Sequence, residues 1–135
     1  MKEQLVSFKT AKLAAKKGFN ITPRWCYDLT EYYTQGIYGI IEYGTVVGDL
    51  ELYAPTQSLL QKWLREEHDI HIEISKWDDD TYSAILVSNN EKYNFPEESE
   101  DVSYEAIGMN SYEEALEIGL YEALKLIGNG IKIIR

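Results

Sequence analysis

The chain has 135 residues, a formal charge of −10 and 44% hydrophobic content, with eleven Tyr, three Trp and three Phe. That length and apolar content suit one domain with a single core and exclude a globally disordered chain. No apolar run approaches the ~20 residues of a membrane span, residues 1–6 lack the apolar core of a secretory signal, and the lone Cys26 has no internal disulfide partner, so the chain reads as a cytoplasmic protein with a reduced thiol.

Charge is unevenly spread. Residues 1–24 hold Lys2, Lys9, Lys12, Lys16, Lys17 and Arg24 against the single acid Glu3, a balance of +5 that leaves −15 for residues 25–135. An acidic body favours solubility, orients a basic first helix beside it, and suits a basic protein partner. The tyrosines pair an apolar ring with a hydroxyl that wants water or a partner, which fits a half-buried sheet face and a contact surface alike.

One domain is expected over 1–135, in four stretches: a basic helical segment (1–24), a Tyr-rich β segment (25–53), a core (54–127) and a tail (128–135). Ser7 can cap a helix over about 8–17, to which Phe8, Ala11, Leu13, Ala14 and Ala15 give an apolar side and which Lys16, Lys17 and Gly18 end. Phe19 and Ile21 are expected to close its C-terminal end. After Thr22-Pro23, strands are expected over 24–33, 37–43 and 46–53, separated by Gln35-Gly36 and Gly44. Gly36, Gly39, Gly44 and Gly48 recur without the strand-to-helix context of a phosphate-binding loop, so they mark turns and bulges.

The most sharply patterned stretch is 54–77. Pro55 suits a first helical turn, Thr56 or Ser58 can cap it, and Leu59, Leu60, Trp63 and Leu64 share one face of a helix over about 55–67. Near Asp69 the apolar period drops to two, with Ile70, Ile72 and Ile74 on one side of a strand over 70–77 and His71, Glu73 and Ser75 on the other. Asp78-Asp79-Asp80 is an acidic turn, and 81–87 returns as the second strand of a hairpin. Asn89-Asn90 turns again, 93–95 is a short edge strand stopped by Pro96, 97–101 is an acidic loop and 102–107 is a third strand.

Ser111-Tyr112-Glu113-Glu114 is a capping box opening a helix over 111–127. Tyr112, Ala115, Leu116, Gly119, Leu120, Ala123, Leu124 and Ile127 share its apolar face, and Glu113, Glu114, Glu117 and Glu122 lie off it. A glycine inside a helix costs about 1 kcal/mol, so Gly119 on the buried stripe signals close approach of another element. Gly128 ends the helix, and 131–135 adds an edge strand or frays. The expected fold is α+β: an antiparallel sheet with the three helices packed on one face, and α-β-β-β-α order over 55–127.

That order resembles the double-stranded-RNA-binding fold, and the hairpin leading to Glu113-Glu114-Ala115-Leu116-Glu117 resembles HicB-type antitoxins. The first resemblance implies a basic cluster at the start of the last helix. Here Tyr112-Glu113-Glu114 stands in that place and no Lys or Arg occurs from Tyr93 to Ala123, which opposes phosphate binding. The antitoxins' Pro-Gly-Cys signature between strands is absent. Residues 54–66, His71-Ile72-Glu73-Ile74, residues 112–117 and Thr10-Ala11-Lys12-Leu13-Ala14 are similar to a family of small uncharacterised proteins from gut Bacteroidales and their phages. This resemblance implies a mobile-element origin and brings no activity, ligand or catalytic residue.

His68 and His71 stand three apart, and with Asp69 or Glu73 they can be imagined around a divalent ion. The helix-to-strand change between them removes the helical geometry that gives such spacing its meaning. Asp78-Asp79-Asp80 lacks the spaced acids, glycine and final glutamate of a calcium loop. Cys26 has no activating context for a nucleophile. No catalytic, cofactor-binding or metal-ligating residue is assigned. The favoured function is a non-enzymatic protein–protein interaction module with a basic partner and no membrane association. The alternative is a small enzyme or ligand-binding domain with a pocket near Cys26, His68 and His71. A third reading is an antitoxin-like or nucleic-acid-associated regulator acting through the basic first segment.

Overall fold

The computed structural model describes residues 3–31, 39–44, 50–88 and 103–128. In chain order these form α1 (Phe8–Lys16), β1 (Trp25–Asp28), a single 3-10 turn (Leu29–Glu31), β2 (Ile40–Glu42), β3 (Glu51–Tyr53), α2 (Gln57–His68), β4 (His71–Lys76), β5 (Tyr82–Val87), β6 (Ser103–Met109) and α3 (Tyr112–Leu126). The class is α+β with antiparallel pairing throughout, and the strands divide between two three-stranded sheets, β2-β1-β3 and β4-β5-β6. The expectations for 32–38, 45–49, 89–102 and 129–135 lie outside the described residues, among them the Asn89-Asn90 turn, the 93–95 strand, the 97–101 loop and the 131–135 tail. No helix among the described residues is long and apolar enough to cross a membrane.

Each helix opens on a hydroxyl cap. Ser7 Oγ accepts from the Thr10 N–H at 3.2 Å, Thr56 Oγ1 from the Leu59 N–H at 3.1 Å and Ser111 Oγ from the Glu114 N–H at 3.0 Å. Glu114 in turn accepts the Asn110 N–H at 2.8 Å, one residue ahead of the cap. α2 begins at Gln57 and not at Pro55. The Pro55 carbonyl accepts the Val6 N–H at 2.9 Å beside the Leu5–Thr56 bridge, and this extended pairing holds Pro55 outside the helix. The helix closes on Asp69, left-handed at φ 56°, and the Ile70 N–H returns to the Leu64 carbonyl at 3.1 Å. That cap turns Ile70 into the core and starts the strand period. α3 closes on an extended Ile127, one residue before Gly128.

Leu60, Trp63 and Leu64 of α2 share one core with Ile70, Ile72, Ala84 and Leu86 and with the Ala115, Leu116, Leu120, Ala123 and Leu124 stripe of α3. Three residues expected in the core fall outside it. Tyr112, first in its helix, is 46% exposed. Ala15 is exposed, and Thr10, four residues before Ala14, is buried in its stead with its hydroxyl accepting from Ser7 Oγ. Ile21 is exposed because the chain after α1 is irregular and does not keep the alternation that would place it beside Phe19. Phe19 alone closes that end, edge-on to Trp63 with ring centroids 5.3 Å apart.

α1 and α3 run parallel and in register. At one end the Ser7 N–H donates to Glu117 Oε2 at 2.9 Å, and at the other the Lys17 ammonium donates to the Ile127 carbonyl, the two contacts lying ten residues apart on both helices. Between them the Lys9 ammonium sits 4.4 Å from the centre of the Tyr121 ring. The basic first helix therefore docks on the acidic last one through a backbone N–H, a ring and a carbonyl.

On its other side α3 meets the β4–β5 strands at Gly119, where a Cβ would stand 3.0 Å from Ala84 Cβ and 3.0 Å from Ile72 Cγ2. Ala84 Cβ is fixed to strand backbone and Ile72 is stiff at χ1, so neither neighbour yields readily. Gly119→Ala is expected to lose about 1–2 kcal/mol in urea melts, overpacking outweighing the helix-propensity gain. Adding Ala84→Gly recovers part of that loss, and a stabilised Gly119→Ala single variant contradicts the close approach.

Candidate functional site

The residues singled out by sequence lie on separate elements. Cys26 is fully buried in the central strand of the first sheet, where it pairs with Ile41 on one side and Tyr53 on the other. Burial, and then the Glu51 charge, push its thiol up to about 11, so it stays protonated at neutral pH. His68, on α2, stacks edge-on against Trp63 with centroids 4.7 Å apart. His71, on β4, lies 3.1 Å from the Asp69 carboxylate. No group of three or more His, Cys, Asp or Glu among the described residues is placed to hold a metal ion.

Two of the three acids in the Asp78–Asp80 turn are paired locally. Asp79 accepts from the Thr81 N–H at 3.2 Å and the Thr81 hydroxyl at 2.7 Å, which hold its carboxyl below the usual range. Lys76 reaches Asp80 at 2.8 Å, and Asp80 takes the left-handed conformation at φ 64°.

What the fold does assemble is a cleft of about 780 Å³ at the end where all three helices begin. Residues 3–7 form one side, Tyr27 and Ile40 of the first sheet another, and Gln57 with Ser111, Glu113, Glu114 and Glu117 the rest. Helices start here because the chain pairs here: Gln57 N–H donates to the Gln4 carbonyl at 2.8 Å, next to the Leu5–Thr56 bridge. Glu117 is the knot. One of its oxygens accepts the Ser7 N–H at 2.9 Å, and the other accepts Gln57 Nε2 at 3.0 Å, so one carboxylate joins the starts of α1 and α2 to α3. The second Gln57 N–H goes to the Glu113 carbonyl at 3.0 Å. Tyr27, buried beneath, donates its hydroxyl to the Val6 carbonyl at 2.6 Å.

Among the described residues the cleft takes its charge from Glu3, Glu113, Glu114 and Glu117, and no described Lys, Arg or His lines it. Two of these acids already have structural work, Glu114 in the cap and Glu117 in the knot. Glu3 accepts from the Ser58 hydroxyl at 2.5 Å and is otherwise exposed, as is Glu113. Carboxylates near helix starts are favoured by the helix dipoles, which helps this cluster persist. Cys26, His68 and His71 do not line it.

Compared with protein-family models, with curated proteins and with solved structures, the chain matches none.

Gln57, Tyr27 and Ser7 were not expected at a site, and only Gln57 had a usable signal. It stands three residues before Leu60 and seven before Leu64, so helical spacing places a polar group on the buried stripe. The convergence of Tyr27 and residues 3–7 on the last helix is long-range and leaves no local trace.

The buried thiol yields a pH prediction. Its ordinary value is 9.0 and its folded value about 11, so the folded state holds that proton more tightly and the resulting stability is intact below about pH 9 and lost as pH rises toward 11. Tyr27 acts in the same sense, raised above 10.0 by burial and then by the Glu117 charge. Urea midpoints are expected to hold up to about pH 9 and then fall, with a shallower fall in Cys26→Ser. A native thiol that reacts rapidly with Ellman's reagent at about pH 8 contradicts this burial.

Proposed function

We propose that the chain is a non-enzymatic protein-interaction module that engages a basic protein partner through the acidic cleft at the starts of α1, α2 and α3. The observation that carries this reading is the one-signed lining: among the described residues, four glutamates surround the cleft and no cationic side chain lines it. The net charge of −10 adds a long-range field of the same sign, which speeds encounter with a basic partner and repels nucleic-acid phosphate. The buried, protonated thiol of Cys26 and the separate placement of His68 and His71 give an enzymatic reading no comparable support.

The division of labour among the acids decides which substitutions are informative. Glu114 and Glu117 hold the fold, so reversing them confounds binding with folding. Glu3 and Glu113 are exposed and can be reversed. A partner captured from the source organism and reconstituted in pure form is expected to be basic. Glu3→Lys with Glu113→Lys is expected to weaken it at least about tenfold, with a smaller effect at high salt, where exposed charges are screened. A purified partner that binds the doubly reversed chain as tightly as the parent contradicts this function.

A further inference from the structure

We propose that the cleft receives one long basic side chain of the partner, a lysine or arginine, with the Gln57 amide oxygen as an acceptor at its floor. This rests on the interaction reading above and adds the chemistry of the anchor.

Gln57 is only 4% exposed and lines the cleft. Its Nε2 faces two acceptors, the Glu113 carbonyl and Glu117 Oε1, each at 3.0 Å, and this fixes which way the amide is turned. Both N–H bonds are thereby used, and the amide oxygen receives no hydrogen bond from any described residue. That oxygen is the acceptor the side chain has left, and a donor entering the cleft can use it. Tyr27 repeats the pattern: its hydroxyl donates to Val6 and accepts from no described residue. With Glu113 exposed at the rim, the cleft presents lone pairs and negative charge to whatever enters.

The walls select among cations. Ile40, 43% exposed, and half-buried Leu5 line the same cleft. A hydrated metal ion gains nothing from such walls, whereas the methylene stem of lysine or arginine packs on them while its head reaches the acceptors. The Asp78–Asp80 turn, whose Asp79 and Asp80 carboxylates are taken up by Thr81 and Lys76, offers no comparable floor and serves as the internal control.

The test is an NMR titration of the full chain with a capped peptide carrying a run of lysines between glycine and serine residues, repeated with every lysine acetylated. The lysine peptide is expected to shift the Gln57 side-chain amide, Tyr27 and Ile40 with a Kd on the order of 10⁻⁴ M, and acetylation to weaken it at least about tenfold. Gln57→Lys removes the amide oxygen and supplies the chain's own ammonium beside Glu117, and is expected to weaken the peptide about tenfold. Ile40→Ser, on an exposed wall, is expected to weaken it about threefold and keeps the test readable if Gln57→Lys does not fold. Equal binding of the acetylated peptide overturns the basic anchor, and shifts confined to the Asp78–Asp80 turn overturn the cleft as its place while leaving a basic partner elsewhere on the surface. Absence of lysine-peptide binding at any residue overturns both this inference and the proposed function.

Discussion

α3 reaches the β4–β5 strands closely because position 119 carries no side chain. With a Cβ only 3.0 Å from Ala84 and Ile72, any other residue must push helix and strands apart. The apolar stripe on either side, Leu116, Leu120 and Leu124, is fully or almost fully buried, and it loses dispersion contacts if that gap opens. α3 is also the surface on which α1 and α2 lie, so its distance from the strands sets where both of them stand.

The polar end of the molecule follows from that seat. Once α3 is fixed, Glu117 stands where it accepts the first N–H of the α1 cap and the amide of Gln57, and three helix starts gather at one cleft. Parallel α1 and α3 place two helix dipoles side by side in the same sense. Glutamates at their shared start and Lys16, Lys17 and Lys125 near their shared end counter both. The acidic cleft thus has a structural origin, and that origin leaves a surface with negative charge and no cation among the described residues that line it. Binding of a basic partner would use what the fold already maintains.

Much of the local structure was legible in the sequence. The three hydroxyl caps, the change of period at Asp69, the 70–77 and 81–87 hairpin, the apolar stripe of the last helix and the meaning of Gly119 each depend on residues within a turn or two of one another. The start of α2 was displaced because Pro55 is held by Val6, some fifty residues away in sequence, and a proline that suits a first turn suits an extended bridge equally well. Tyr112 and Ile21 are apolar by ring or chain, but one opens a helix and the other lies in an irregular connection, which periodicity does not show. The division of strands between two sheets, and the meeting of Ser7, Tyr27, Gln57 and Glu117, are long-range pairings that local pattern does not specify.

The central claim is that α3 touches the β4–β5 strands at Gly119 and through that contact sets the geometry of the cleft. Proton–proton nuclear Overhauser effects in solution measure this directly. Strong cross-peaks are predicted from Gly119 Hα to the Ala84 methyl and the Ile72 γ-methyl, as required for carbons in contact within about 4 Å. Their absence in a well-folded sample, with the cross-peaks within the β4–β5 hairpin intact, would contradict the account.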